Sequence, residues 1–459
     1  VKVVDGSCPL PKPITFTRVN REILKLAIPN ILSNLSVPLL SSYDTALMGN
    51  LSGTHIAAVG LGSMAFNFVY WNFGFLRMST TGLTAQAYGR EDHREQQTLL
   101  KRSLLLAVLF STALVLLQYP LAELTAWLLN IRPDQSELVD TYFYIRIFAA
   151  PAALLQMVLF GWFFGRQNAL YPLLLTFFVN GANIGLSTYF VTTLGWGIAG
   201  VAWGTVGAQY LGLALAFVLL FLELRKVRAE VKRLGKEITQ RAGALTEGLA
   251  AFLKINRDIF IRTLCLTLSF AFFYNRANAL DVGTAVVAGN VILLQLVNWL
   301  SYGVDGFAFA AESLVGKYHG ANDRPQLIVA TKKIFAWGMG LAALYAVIYG
   351  FGQEHLLQLF APESTSADTL AAALTYLPLL VAFCLLATPC YLLDGIYIGL
   401  TASTAMRQTM LLAFAGYLAS YCLVGQHLGN WGLWGSLLFF MVLRAVVQAW
   451  WLRSGRVGF

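Results

Sequence analysis

Apolar stretches of about 20 residues, the length that crosses a bilayer, recur along this chain from Ile23 to Trp451 and constrain its fold more than any other feature. Of its 459 residues 57% are hydrophobic and 12% charged, about half the charged share of an average soluble domain. The mean hydropathy of +0.64 agrees. A soluble enzyme, a disordered chain and a secreted disulfide scaffold are excluded, and an all-α polytopic membrane protein is expected. Apolar runs between charged or Gly/Pro-marked breaks predict twelve transmembrane helices, over 22–49, 54–86, 98–118, 138–165, 171–194, 198–223, 255–280, 284–317, 327–351, 368–400, 404–427 and 431–452. Several exceed 25 residues, which implies tilt or extension beyond the lipid.

The net charge of +9 matters through its distribution. Loops after even-numbered helices hold Arg90, Arg94, Lys101, Arg102, Arg166, Lys317, Arg324 and Arg407, together with a basic run from Arg225 to Arg241. Loops after odd-numbered helices carry Asp134, Glu137, Glu354, Glu363 and Asp368 instead. Lys and Arg concentrate on the cytoplasmic side, so both termini are expected inside. Residues 1–18 contain three prolines and no apolar h-region, which reads as a cytoplasmic tail rather than a cleaved signal peptide. Segment 224–254 is basic with Val227, Val231, Leu234 and Ile238 at helical spacing, and is expected to be a cytoplasmic linker with an amphipathic helix.

That linker divides an internal repeat. At an offset of 231, Tyr43-Asp44 meets Tyr274-Asn275 and Asp92 meets Asp323; Gly161 and Gly165 meet Gly395 and Gly399 at 234. Six helices per repeat is an even number, so both halves enter the membrane in the same sense, related by a pseudo-two-fold axis along the membrane normal. The expected organisation is an N-lobe over 19–223, the linker over 224–254 and a C-lobe over 255–459, with a cleft between the lobes.

Several motifs carry no chemistry. Gly195-Trp-Gly197-Ile-Ala-Gly200 matches a dinucleotide fingerprint but lies between two apolar spans, without a βαβ context, and reads as a tight turn. The five histidines lack ligand spacing, the five cysteines include no CxxC, and neither a Walker A sequence nor a Ser/His/Asp pattern occurs, so no metal site and no enzyme is expected. The GxxxG pairs read as packing faces. Trp71, Tyr70, Trp162, Trp299 and Tyr302 read as interfacial or packing aromatics.

Carboxylates inside spans are different, because an acid in hydrocarbon is tolerated mainly where it faces a cavity or a partner. Asp44 lies in helix 1, Asp305 and Glu312 share one face of helix 8, and Asp394 lies in helix 10. Pro29 and Pro38 precede Asp44; prolines free backbone carbonyls and let a helix bend. Asn180, Asn183 and Ser187 form a polar stripe on helix 5, and helix 6 adds Thr205.

Arg77-Met-Ser-Thr-Thr-Gly-Leu-Thr-Ala-Gln-Ala-Tyr-Gly89, Asp305-Gly-Phe-Ala-Phe-Ala-Ala-Glu312 and Tyr391-Leu-Leu-Asp394-Gly-Ile-Tyr-Ile-Gly399 resemble the DinF-like branch of the multidrug and toxic compound extrusion (MATE) family. The resemblance implies two six-helix lobes around a central cleft, exporting amphipathic, often cationic compounds in exchange for H⁺ or Na⁺. It implies that Asp44 is the first-helix acid, Pro29 the kink proline, Asn180 and Asn183 the fifth-helix polar pair and Thr205 the sixth-helix hydroxyl. Where the family commonly has a further acid, four residues after the second asparagine, this chain has Ser187. Hard cation sites need several oxygen ligands with compensating charge, so proton coupling gains over sodium. The expected protein is a proton-coupled multidrug antiporter working by alternating access, with Asp44 protonation bending helix 1. Asp305, Glu312 and Asp394 make a possible C-lobe site. No cofactor beyond the coupling proton and no nucleic-acid partner is expected; the partners are drug-like small molecules and the bilayer, and the protein is a monomer in a bacterial-type inner membrane. A sodium-coupled MATE exporter and a flippase for a polyprenyl-linked saccharide are the alternatives; a long hydrophobic groove and paired cleft cations would favour the flippase, and the sequence shows few candidates beyond Arg77 and Arg146.

Overall fold

The structure, a computed structural model, describes residues 16–49, 53–129, 131, 133–233, 246–280, 283–352, 356 and 367–457. The side chains of Asp44 and of some of its neighbours lie outside the described residues. The described chain folds entirely as helices and turns. They are α1 (Phe16–Gly49), α2 (Gly53–Asn72), α3 (Phe75–Gly89), α4 (His93–Leu116), α5 (Gln118–Leu129), α6 (Pro133–Arg146), α7 (Ala150–Gly165), α8 (Leu170–Thr188), α9 (Gly197–Arg233), α10 (Leu249–Ala279), α11 (Thr284–Gly320), α12 (Arg324–Phe351), α13 (Ala367–Gly399), α14 (Ser403–Leu423) and α15 (Gly429–Arg453).

All twelve predicted segments are helical, and eight described segments are long and apolar enough to cross a membrane. Some predicted helices are interrupted. Segment 54–86 turns at Phe73-Gly74 between α2 and α3, and a short 3₁₀ turn, Ile147–Ala149, separates α6 from α7. Helix α5 was not anticipated. The anticipated linker helix begins as an uninterrupted continuation of α9 to Arg233, with Val227 buried, whereas Leu234 and Ile238 lie outside the described residues. The Gly195–Gly200 motif is a turn: Gly195 and Gly197 have φ of +68° and +54°, the left-handed region open to glycine, and α9 starts there.

Four helices end in the same way. After Gly89, Gly165, Gly320 and Gly399, the second residue (Glu91, Gln167, Asn322 or Thr401) has positive φ. In each case the next N–H closes back five residues, from Asp92 to Ala87, Asn168 to Phe163, Asp323 to Tyr318 and Ala402 to Tyr397. This is the Schellman cap, which satisfies carbonyls that a helix end leaves open. Asp92 and Asp323 then cap α4 and α12 by accepting from Glu95 and Gln326 backbone N–H. Residues aligned by the repeat therefore perform the same local task. Gly161 and Gly165 seat α7 on α3, just as Gly395 and Gly399 seat α13 on α11; small residues at these crossings let backbones approach closely.

Two large apolar cores result. One gathers residues between Leu47 and Leu220 with Ile259; the other gathers residues of α10 to α15, and the first third of α1, from Val19 to Ala27, belongs to it. Helix α1 thus bridges the cores. The two halves of the chain meet at the end that carries the basic loops. There Gln86 Nε2 donates to the Gly399 carbonyl (2.9 Å), Gln167 Nε2 to the Ser313 carbonyl (2.8 Å), and Lys317 and Tyr318 both reach Glu22 (2.9 and 2.8 Å).

Candidate functional site

Helix α1 runs unbroken through Pro29 and Pro38. Each proline removes one intrahelical bond, and nearby polar side chains supply others: Asn30 Nδ2 donates to the Leu26 carbonyl (2.9 Å) and Ser36 Oγ to the Ser33 carbonyl (2.7 Å). Asn34 Nδ2 crosses to the Tyr302 carbonyl of α11 (3.2 Å). The C-terminal part of α1 is tied to α8 twice among the described residues. Asn180 Nδ2 donates to Ser36 Oγ (2.9 Å), and the hydroxyls of Tyr43 and Thr188 lie 2.5 Å apart. Asp44 is the next residue along α1, and its side chain lies outside the described residues.

The other members of the predicted polar group sit between α8 and α9. Ser187 Oγ donates to Asn183 Oδ1 (3.3 Å), Thr205 Oγ1 turns back to the Val201 carbonyl (2.9 Å), and all three residues are buried. Gly204 of α9 packs directly on Ser187. Of the four predicted coupling residues, Asn180 alone has a described bond to α1, through Ser36, while Asn183 and Thr205 bond within their own helices.

The three acids of the second half have three different surroundings. Glu312 is buried and bidentate to Arg77 of α3 (2.8 and 3.1 Å), whose guanidinium lies 3.9 Å from the Phe309 ring centroid. This pair joins the two halves of the chain. Asp394 is buried among Arg262 of α10, Arg444 of α15 and Gln448, which donates to it at 2.8 Å. Asp305 is partly exposed and makes no hydrogen bond or ion pair among the described residues, yet it stands within electrostatic reach of both clusters. It terminates a stripe on α11, with Gln295, Asn298 and Tyr302 at helical spacing, that stays accessible while Leu296, Val297, Leu300 and Val304 are buried. The predicted C-lobe site is therefore not one shared site: Glu312 and Asp394 are engaged by arginines, and Asp305 is the acid left accessible.

Arg262 and Arg444 were not singled out from sequence, although the signal was present. A basic residue deep in an apolar run is as costly as an acidic one, and Arg444 stands nine residues inside its span. Arg77, Arg262 and Arg444 balance Asp305, Glu312 and Asp394 in formal charge.

The MatE family model matches residues 29–189 and again 259–429. The chain is 34% identical to DNA damage-inducible protein F of Escherichia coli, over 96% of this chain and 94% of that protein. In structure it is similar to a MOP superfamily transporter from Pyrococcus furiosus (TM-score 0.84, 19% identity, 98% of both chains) and to a MATE transporter in a bent conformation (TM-score 0.82, 18% identity, covering 97% and 98%). These likenesses span both halves of the molecule, and the chain belongs to the MatE family of multidrug and toxic compound extrusion transporters.

Proposed function

We propose that the protein exports amphipathic, often cationic compounds by proton-coupled antiport, with Asp44 as the proton carrier. The observation that carries this reading is the position of α1. Its first third is built into the second core, its C-terminal part is hydrogen-bonded to α8 at Ser36 and Tyr43, and Pro29 lies between the two while Pro38 lies between the two seam residues. An ionised Asp44 only accepts hydrogen bonds, and a protonated one also donates. Proton uptake therefore rearranges the α1–α8 seam, and α1 bends at its prolines to expel the cargo. Protonation and cargo occupancy then compete, the condition for antiport. One proton moving down 100 mV releases about 2.3 kcal/mol, which supports roughly a 50-fold gradient of a neutral cargo; exchange for a monovalent cation is electroneutral and is driven by the pH gradient alone.

Ser187 favours the proton over sodium, because its hydroxyl supplies no charge and is closed in by Gly204. The flippase reading loses support because Arg77, a leading candidate for its cleft cations, is engaged by Glu312. The accessible stripe ending at Asp305 suits the cationic group of a cargo. By the positive-inside rule the basic end is cytoplasmic, with both termini inside and the protein in a bacterial-type inner membrane.

Purified protein in liposomes tests the coupling, with a pH gradient and a sodium gradient imposed separately. Efflux of a cationic dye should follow the pH gradient and fall to background in Asp44→Asn. Efflux driven by sodium at constant pH, or normal pH-driven efflux in Asp44→Asn, would overturn the mechanism.

A further inference from the structure

Arginines inside the bundle are paired with carboxylates almost throughout: Arg77 with Glu312, Arg166 with Glu223, and Arg262 and Arg444 with Asp394. Arg146 at the end of α6 is the exception. No carboxylate pairs with it among the described residues. Its partners are neutral: the Tyr70 hydroxyl at 3.3 Å, the Tyr142 hydroxyl, and the faces of the Phe66 and Tyr70 rings at 5.2 and 5.4 Å from the guanidinium carbon.

The location makes this pairing costly. At about 1.5 Å per residue, Arg146 lies some 20 Å along the helix from Pro133 and some 28 Å from Gly165. It also faces inward, because Tyr142 and Ala150, one turn before and after it, are 3% and 0% exposed. Yet Arg146 itself is partly exposed and is not sealed within the packed core. Aromatic faces attract a cation through the ring quadrupole but occupy only the flat side of a guanidinium. The planar fork of N–H donors, which matches a carboxylate in two parallel bonds, is left with hydroxyl contacts to Tyr70 and Tyr142.

We propose that Arg146 is a carboxylate-accepting subsite in the N-terminal half, and that it takes the acidic group of an amphipathic cargo whose ring system packs on the partly exposed Tyr70. This rests on the export reading above and narrows its substrate class: the preferred cargo carries a carboxylate as well as an apolar, often cationic, body. The low dielectric around Phe66, Tyr142 and Ala150 strengthens such a charge-assisted pair relative to water.

The test uses a rhodamine dye with a free carboxylate and the same dye as its methyl ester, titrated against purified full-length protein by fluorescence polarisation. The wild type should bind the acid more tightly than the ester. Arg146→Gln should weaken the acid about 10-fold or more, the loss of a hydrogen-bonded charge pair, and leave the ester within about two-fold. Arg146→Lys, which keeps the charge without the fork, should fall between. Equal wild-type affinity for acid and ester, or equal loss of both in Arg146→Gln, would overturn the subsite while the export reading stands. A wild type that binds neither dye would overturn both. The wild-type comparison decides the matter even if a variant does not fold.

Discussion

Asp394 and Asp305 carry the same carboxylate on neighbouring helices, α13 and α11, and their surroundings give them different work. Asp394 is enclosed by two guanidinium groups and an amide, so it acts as the counter-ion that lets Arg262 and Arg444 remain inside the bundle. Removing one partner of a buried ion cluster leaves uncompensated charge and typically costs about 3–5 kcal/mol. Asp394→Asn is therefore expected to lower the thermal unfolding temperature markedly in detergent, with transport lost through instability. Asp305 has no such obligation. Asp305→Asn should unfold within about 0.5 kcal/mol of wild type while weakening binding of a cationic dye about 10-fold. Thermal unfolding and dye titration on the two variants check this contrast, and the opposite pattern would make Asp394 the ligand-facing acid. From sequence alone the two looked alike, because burial cost depends on which partners other helices bring.

At the scale of the element, helix ends show how the repeat is kept and where it departs. Three of the four Schellman caps are followed by a residue whose side chain caps the next helix: Asp92, Asp323 and Asn168, the last accepting from Leu170 and Tyr171 N–H. The fourth is followed by Ala402, which has no side-chain oxygen to offer α14. The fully buried Asp258 of α10 compensates by accepting from Thr404 Oγ1 (2.8 Å) and from Arg407 Nη1 (2.7 Å). A carboxylate near a helix N-terminus is also favoured by the helix dipole. Asp258→Ala should cost about 2–4 kcal/mol, combining a lost hydrogen bond to Thr404 with an unpaired Arg407, and Ala402→Asp in that background should restore part of it by giving α14 a local N-cap. Denaturation of the two variants in detergent measures both effects, and a neutral Asp258→Ala would assign the stability of α14 to its apolar face.

For the whole molecule, Gln86–Gly399, Gln167–Ser313 and Glu22–Lys317 join the halves at the basic end, while Arg77–Glu312, Asn72–Thr267 and Asn34–Tyr302 join them deeper in the bundle. If the basic end is cytoplasmic, as the Lys and Arg distribution implies, its bonds close the inner side, and export requires them to break in each cycle. In a background with the native cysteines replaced by serine, a cysteine at the exposed Glu137 should react with an impermeant maleimide added outside intact cells. One at the exposed Arg94 should react only after the membrane is opened. The reverse pattern would invert the molecule.

The positions of the helices, the two-fold repeat and the family were legible in the sequence for one physical reason. Lipid forces every backbone hydrogen bond to be made within the segment, so an apolar run of sufficient length already specifies a helix, and its breaks specify the turns. The repeat is equally local, since Gly161/Gly165 and Gly395/Gly399 each encode a close crossing. The charge pairing was decided only by the tertiary structure. Arg262 meets Asp394 from 132 residues away and Arg77 meets Glu312 across 235, separations that no local pattern encodes. The rotation of each helix about its axis, set by packing against distant neighbours, determined that Asp394 and Glu312 would be neutralised, that Asp305 would remain accessible and that Arg146 would face aromatic rings in place of an acid.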